Sequence, residues 1–85
     1  MLYRKYILLT KKECPYCEEA VEILSSRDIE YCEIDLQESP QILDHFKDAF
    51  EHNTVPMVLG SFGAGLYKLV GGCDDLKRTL VVENE

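Results

Sequence analysis

The chain has 85 residues, of which 46% are apolar and only three are proline. That composition argues against disorder and sets the expectation at one domain, residues 1–85, with a small core. Sixteen acidic residues against nine basic give a net charge of −7, which repels phosphate backbones and makes nucleic acid a poor partner.

The first expected element is a buried strand, Tyr3 to Thr10, apolar and rich in β-prone residues. Its apolar run, Tyr6 to Leu9, is too short for a signal-peptide core, and Lys11, Lys12 and Glu13 follow at once. No stretch is long enough to cross a bilayer. The chain therefore reads as cytoplasmic, without a membrane partner.

"KKECPYC", residues 11–17, comes next. Pro15 suits the first turn of a helix, where a missing N–H costs nothing. Cys17, Ala20, Val21 and Leu24 share one helical face, with Ile23 beside them, while Glu18, Glu19 and Glu22 lie elsewhere. Cys14 then stands where unpaired backbone N–H groups point outward. A thiolate there gains from the helix dipole, and Lys11 and Lys12 add positive potential. Such surroundings lower a cysteine pKa to roughly 3.5–7.5. Cys14 is the expected nucleophile. Cys17, three residues on, returns to the same face as the expected resolving thiol. Glu13, Glu18 and Glu19 form an acidic collar, which supports the helix start and, as like charge, opposes the thiolate.

Metal binding is the competing reading. A zinc site takes four ligands, commonly as two close pairs. Cys32 and Cys73 are isolated, and His45 and His52 are not at a ligand spacing. No metal is expected, and both histidines read as solvated surface residues. A secreted disulfide framework is disfavoured because no export signal is visible.

Ile29 to Leu36 reads as a second strand, with Cys32 and Ile34 alternating into the core. Ser39-Pro40 has the form of an N-cap followed by proline at the first helical position. Leu43, Phe46, Ala49 and Phe50 follow at helical spacing. Val55 to Leu59 reads as a third strand and Leu66 to Val70 as a fourth. The glycine-rich "GSFGAG" lies between them as a hairpin connection. Asp74 and Asp75 open a last helix at its positive end, with Leu76, Leu80 and Val81 facing inward. The order βαβ, α, ββα implies an α/β fold: a four-stranded mixed sheet with helices on both faces.

"CPYC" (Cys14 to Cys17), "TVP" (Thr54 to Pro56) and "GGCDDL" (Gly71 to Leu76) occur in this order, and together they resemble the signatures of the glutaredoxin family. The resemblance covers nearly the whole chain. It implies a thioredoxin-like fold, βαβαββα, with sheet order 4-3-1-2 and the third strand antiparallel to the others. It implies a glutathione-dependent thiol–disulfide oxidoreductase, with Cys14 and Cys17 catalytic and glutathione as co-substrate. Such an enzyme serves electron transport and cell redox homeostasis. The Val55-Pro56 bond is expected to be cis, turning the Val55 backbone toward Cys14, where an extended peptide pairs like an added strand. By the same resemblance Lys11 meets the glycine carboxylate of glutathione, Tyr16 walls the groove, and Thr54, Val55 and Pro56 supply backbone contacts. The N–H groups of Cys73 and Asp74 suit the γ-glutamyl carboxylate. The Asp74 carboxylate suits the ammonium, and Gly71 and Gly72 allow close approach.

Expected partners are glutathione and glutathionylated or disulfide-bonded client proteins, ribonucleotide reductase among them by family analogy, with the chain a monomer. Two alternatives stand beside this reading: a carrier of a glutathione-ligated 2Fe–2S cluster, and a thioredoxin-like donor reduced by a flavoprotein reductase. Pro15 and Cys17 disfavour the first, "GGCDDL" and Lys11 the second. The chain also departs from the family pattern. Asn53 stands where many relatives have arginine or glutamine, and Leu43 where a glutamine is common. That leaves the glycine carboxylate to Lys11. The connection between the last two strands reads as longer than usual, through "SFGAGLYK".

Overall fold

The computed structural model describes residues 3–83 of the chain. The elements in order are β1 (Lys5–Thr10), α1 (Pro15–Ser26), β2 (Tyr31–Asp35), α2 (Pro40–Phe50), β3 (Met57–Gly63), β4 (Leu66–Gly71) and α3 (Cys73–Glu83). One four-stranded sheet runs β2-β1-β3-β4. β1 pairs with β2 in parallel, and with β3 antiparallel; β3 and β4 form an antiparallel hairpin. This is the thioredoxin-like arrangement, with β3 running against the other three strands.

β1 is central, so both of its faces are covered. Its alternation splits the core in two. Tyr6 and Leu8 join Ala20 and Leu24 of α1, Val58 of β3, and Cys73, Leu76 and Leu80 of α3. Leu9 joins Met57, Leu36 and Leu43 on the opposite face, where Phe46 and Phe50 of α2 pack. A strand buried on both sides reads as a continuous apolar run, which is why "YILL" shows no polar alternation. Its last residue, Thr10, is buried, and its hydroxyl donates to the Glu33 carboxylate at 2.9 Å.

Two expectations about packing are corrected. Cys32 and Ile34 were expected in the core, yet Cys32 is exposed and Ile34 is 41% exposed. β2 is an edge strand, and α2 packs over Leu9, Met57 and Leu69, leaving the outer strand open. Ala49 and Val81 lie on the outward sides of α2 and α3. Each is flanked by a residue that takes the inward position, Phe50 and Leu80.

The glycine-rich segment is a further correction. Gly60 to Gly63 is strand, and the connection is only Ala64-Gly65, both with positive φ (55° and 75°). Left-handed backbone at both central residues is the mark of a tight two-residue hairpin turn. There is no long loop: the hairpin's extra length is strand, with an irregularity between Ser61 and Gly63. Gly60 is needed for room. The Tyr3 ring lies directly over it, held edge-on to Tyr6 with ring centroids 5.6 Å apart and tilted against Phe62 at 5.1 Å. A Cβ at Gly60 would run into that ring.

Candidate active site

The site is built where β1 ends and α1 begins. Glu13 takes a left-handed conformation (φ 55°) that turns the chain out of the strand. Cys14 follows in extended backbone, φ −121° and ψ 99°, as the N-cap of α1, and Pro15 enters the first turn. The Cys14 sulfur accepts a hydrogen bond from the Cys17 N–H at 3.2 Å. Sulfur thus stands in for the oxygen of an ordinary capping serine. Cys14 and Cys17 form a disulfide, their Cα atoms 5.2 Å apart. Cys14 is half-buried, whereas Cys17 is 2% exposed among the core residues. An attacking group or client reaches Cys14 first, and Cys17 meets only what is already attached to it.

The segment before β3 passes beside this pair. The Val55-Pro56 bond is cis, and the Val55 carbonyl oxygen is 4.0 Å from the Cys14 sulfur. From there a groove of about 350 Å³ runs to the start of α3. It is lined by Tyr16, His52, Thr54, Val55, Pro56, Gly72, Cys73, Asp74 and Asp75. Tyr16 projects freely at 63% exposure, while Pro56 and Cys73 form the buried floor. At the far end Gly72 precedes the first residue of α3, and its N–H donates to the Asp75 carboxylate at 2.9 Å. Asp75 in turn holds Arg78. The N–H groups of Cys73 and Asp74 are among those that a helix start leaves without an intrahelical partner.

Of the residues expected to bind, Tyr16, Thr54, Val55, Pro56, Gly72, Cys73 and Asp74 line this one groove. Lys11 does not: it is exposed and outside the lining. His52 and Asp75 line the groove without having been singled out for it. His52 lies two residues before Thr54, and its ring nitrogen is 3.2 Å from the Thr54 hydroxyl. The sequence points to Asp75 only as a charge at the helix start. A separate cavity of about 220 Å³ is lined by Lys12, Asp35, Gln37 and Glu38 and contains no thiol. The described residues include no group of three or more His, Cys, Asp and Glu side chains placed to hold a metal ion. No described helix is long and apolar enough to cross a membrane.

The acidic collar is smaller than the sequence implies. Glu18 is exposed, but the Glu19 carboxylate is 2.5 Å from the Lys77 ammonium of α3. The Lys77 hydrogen bond holds the Glu19 carboxyl below its usual range, and the same bond raises Lys77. Burial pushes the Cys73 thiol up, and the Glu19 charge pushes it further. A carboxyl lowered by folding stabilises the fold above its unfolded pKa, and that contribution is lost as pH falls through the lowered value. Lys77→Ala is therefore expected to shrink the loss of thermal stability between about pH 6 and pH 2. Its cost near neutral pH should be slight, because both partners are half-exposed. Melting temperatures across that range check this, and an unaltered acid limb would remove the pair from the linkage.

A disulfide-forming pair with one accessible and one buried sulfur, at a helix start on a thioredoxin-like sheet, defines a thiol–disulfide oxidoreductase. This chain belongs to the glutaredoxin family, whose model matches residues 2–61. Among curated relatives it is 38% identical over 73 residues to Glutaredoxin-1 of Rhizophagus irregularis, covering 82% of this chain and 67% of that one. It is 29% identical over 69 residues to Glutaredoxin 3 of Escherichia coli, covering 81% and 77% respectively. Among solved structures, the buckwheat glutaredoxin–glutathione complex superimposes with a TM-score of 0.76 at 27% identity. That match covers 92% of this chain and 69% of the buckwheat chain.

Proposed function

We propose that the protein is a glutathione-dependent reductase of protein disulfides and of protein–glutathione mixed disulfides. The observation that carries this reading is the groove between the Cys14 sulfur and the start of α3, lined by Tyr16, Thr54, Val55, Pro56, Gly72, Cys73 and Asp74. It offers an extended peptide backbone partners at Val55, an anion site at the Cys73 and Asp74 N–H groups, and a carboxylate for an ammonium at Asp74. Glutathione presents these groups in that order, and a relative of the same fold is known bound to it.

In the reaction, the Cys14 thiolate attacks the glutathione sulfur of a mixed disulfide, and the protein thiolate leaves with a proton. Cys14 then carries glutathione. A second glutathione thiolate attacks that glutathione sulfur, giving glutathione disulfide and free Cys14. With a protein disulfide, Cys14 forms a mixed disulfide with the client. Cys17 then attacks the Cys14 sulfur, releasing the reduced client and closing the Cys14–Cys17 disulfide, which two glutathiones reopen. The chain acts as a cytoplasmic monomer in this reading, with ribonucleotide reductase a client to be tried. The decisive experiment compares glutathione-driven reduction of a mixed disulfide with reduction driven by a flavoprotein thioredoxin reductase. Turnover by the reductase alone would overturn the proposal.

Asp74→Ala is expected to raise the apparent KM for glutathione roughly tenfold, the loss of one charge-assisted contact. Alkylation of Cys14 by a small neutral reagent should hardly change. Equal losses in both assays would point to a collapsed helix start.

A further inference from the structure

The start of α3 accounts for one end of a bound glutathione: the γ-glutamyl carboxylate at the Cys73 and Asp74 N–H groups, and the ammonium at Asp74. The sulfur must face Cys14. The glycine carboxylate is then left with the rest of the lining, and that wall is poor in positive charge. Asp74 and Asp75 are acidic, and Asp75 is committed to the Gly72 N–H and to Arg78. Among the residues that line the groove, His52 has the one side chain that can become a cation.

His52 is held at its backbone and at its ring. Its N–H donates to the Lys47 carbonyl at 3.0 Å, where α2 ends, and its Nε2 lies 3.2 Å from the Thr54 hydroxyl. His52 is half-buried, and Thr54 is exposed beside it. The ionisable groups that share the groove with the ring are Tyr16 of α1 and Asp74 and Asp75 of α3. Lys47, Asp48 and Glu51 are its charged neighbours in the chain, at the end of α2. The contact with Thr54 depends on the proton. In a neutral imidazole either ring nitrogen can be bare, and a bare Nε2 accepts the Thr54 O–H and holds it away from a ligand. In the imidazolium both nitrogens carry hydrogen, so Nε2 can only donate. The Thr54 oxygen accepts that bond, and its own hydrogen is released toward the groove. One proton therefore supplies both a charge and a further donor. Imidazole is the side chain that gains such a proton between about pH 5 and 8.

We propose that His52 and the Thr54 hydroxyl form a proton-gated receptor for the glycine carboxylate of the ligand. The groove then prefers a peptide that ends there in a free carboxylate, and prefers it more as pH falls. This rests on the glutathione reading above and names the residues that hold the far end of that ligand.

The test compares two mixed disulfides of one cysteine-containing peptide, the first with glutathione and the second with glutathione amidated at its glycine carboxylate. Ionisation of Cys14 affects both alike and cancels in the ratio of their kcat/KM values. Each ratio is taken within one variant, so a change in folded fraction cancels as well. The carboxylate-to-amide ratio should rise about fivefold from about pH 8 to about pH 5.5, the effect of one unit charge at about 4 Å in water. His52→Asn should give a ratio that does not vary with pH, and His52→Lys one that is high throughout. Thr54→Val keeps the charge and loses the hydroxyl, so the rise should shrink, and Thr54→Ser should restore it. A flat ratio in the wild type, a rise that persists in His52→Asn, or a rise that Thr54→Val leaves at full size overturns the proposal. If neither mixed disulfide is turned over, the glutathione reading itself falls, and the receptor with it.

Discussion

Cys14→Ser is expected to abolish turnover of every disulfide substrate, a loss of roughly a thousandfold or more, because a serine hydroxyl is not a nucleophile at neutral pH. Cys17→Ser is expected to behave differently. Reduction of a protein–glutathione mixed disulfide needs only Cys14 and incoming glutathione, so that activity should persist within about threefold. Reduction of protein disulfides should fall by at least roughly tenfold, because nothing inside the protein then resolves the client adduct. The asymmetry follows from position. Cys14 is half-buried at the cap, and Cys17 is 2% exposed one turn into α1. The serine in Cys17→Ser is close in volume to the thiol it replaces, so the fold should survive. Steady-state rates on both substrate classes, with circular dichroism as the control, decide the matter. If Cys17→Ser removes both activities equally in a folded protein, the division of roles is wrong.

The second large effect is expected at Gly71, the last residue of β4 and two before the start of α3. Its φ is +128°, in the region that side-chain-bearing residues avoid, and a Cβ there would strike the Asp75 carboxylate. Gly71→Ala should destabilise the protein by roughly 2–3 kcal/mol through backbone strain and the clash. Asp75 cannot swing away without loss, since it accepts the Gly72 N–H at the start of α3; that capping contact is worth about 1 kcal/mol. Because α3 carries the proposed anion site, glutathione turnover should fall along with stability. Urea unfolding in a double-mutant cycle with Asp75→Ala separates the causes. Removing the carboxylate relieves the clash and not the strain, so the double variant should cost less than the sum. Strict additivity would show that the carboxylate is not what the methyl meets.

The parts of this protein that were legible in sequence are those fixed by short spacings. Pro15 one residue after Cys14, with Cys17 one turn further, defines a helix start with two sulfurs on one side. The period of Cys17, Ala20 and Leu24 gives the buried face of α1. What was missed depends on where elements sit once assembled. The alternation of Cys32 and Ile34 correctly indicates a strand, but that β2 lies at an edge uncovered by α2 is a property of the sheet. Three glycines in "GSFGAG" suggest a connection by composition alone. Gly65 does serve the turn, while Gly60 is there because the Tyr3 ring from before β1 lies over it. His52 and Asp75 reach the groove only because the segment before β3 passes beside Cys14 and α3 starts at the groove's other end. The Glu19–Lys77 contact joins two helices distant in the chain, and no local pattern signals it.

The hydrogen bond from the Cys17 N–H to the Cys14 sulfur has a thermodynamic side. That sulfur accepts the bond whether it is a neutral disulfide atom or an anion, but the anion accepts it more strongly, by about 1 kcal/mol. The first turn of α1 is therefore firmer when the pair holds two electrons than when it has lost them. Around a closed cycle the same quantity must reappear as electron affinity: a helix that prefers the reduced form draws electrons toward it. At about 30 mV per 1.4 kcal/mol for a two-electron couple, the bond raises the reduction potential of the pair by about 20 mV. Fraying of this helix end and the driving force of the enzyme are thus coupled: a substitution that loosens the first turn lowers the potential and makes the pair a stronger reductant of client disulfides.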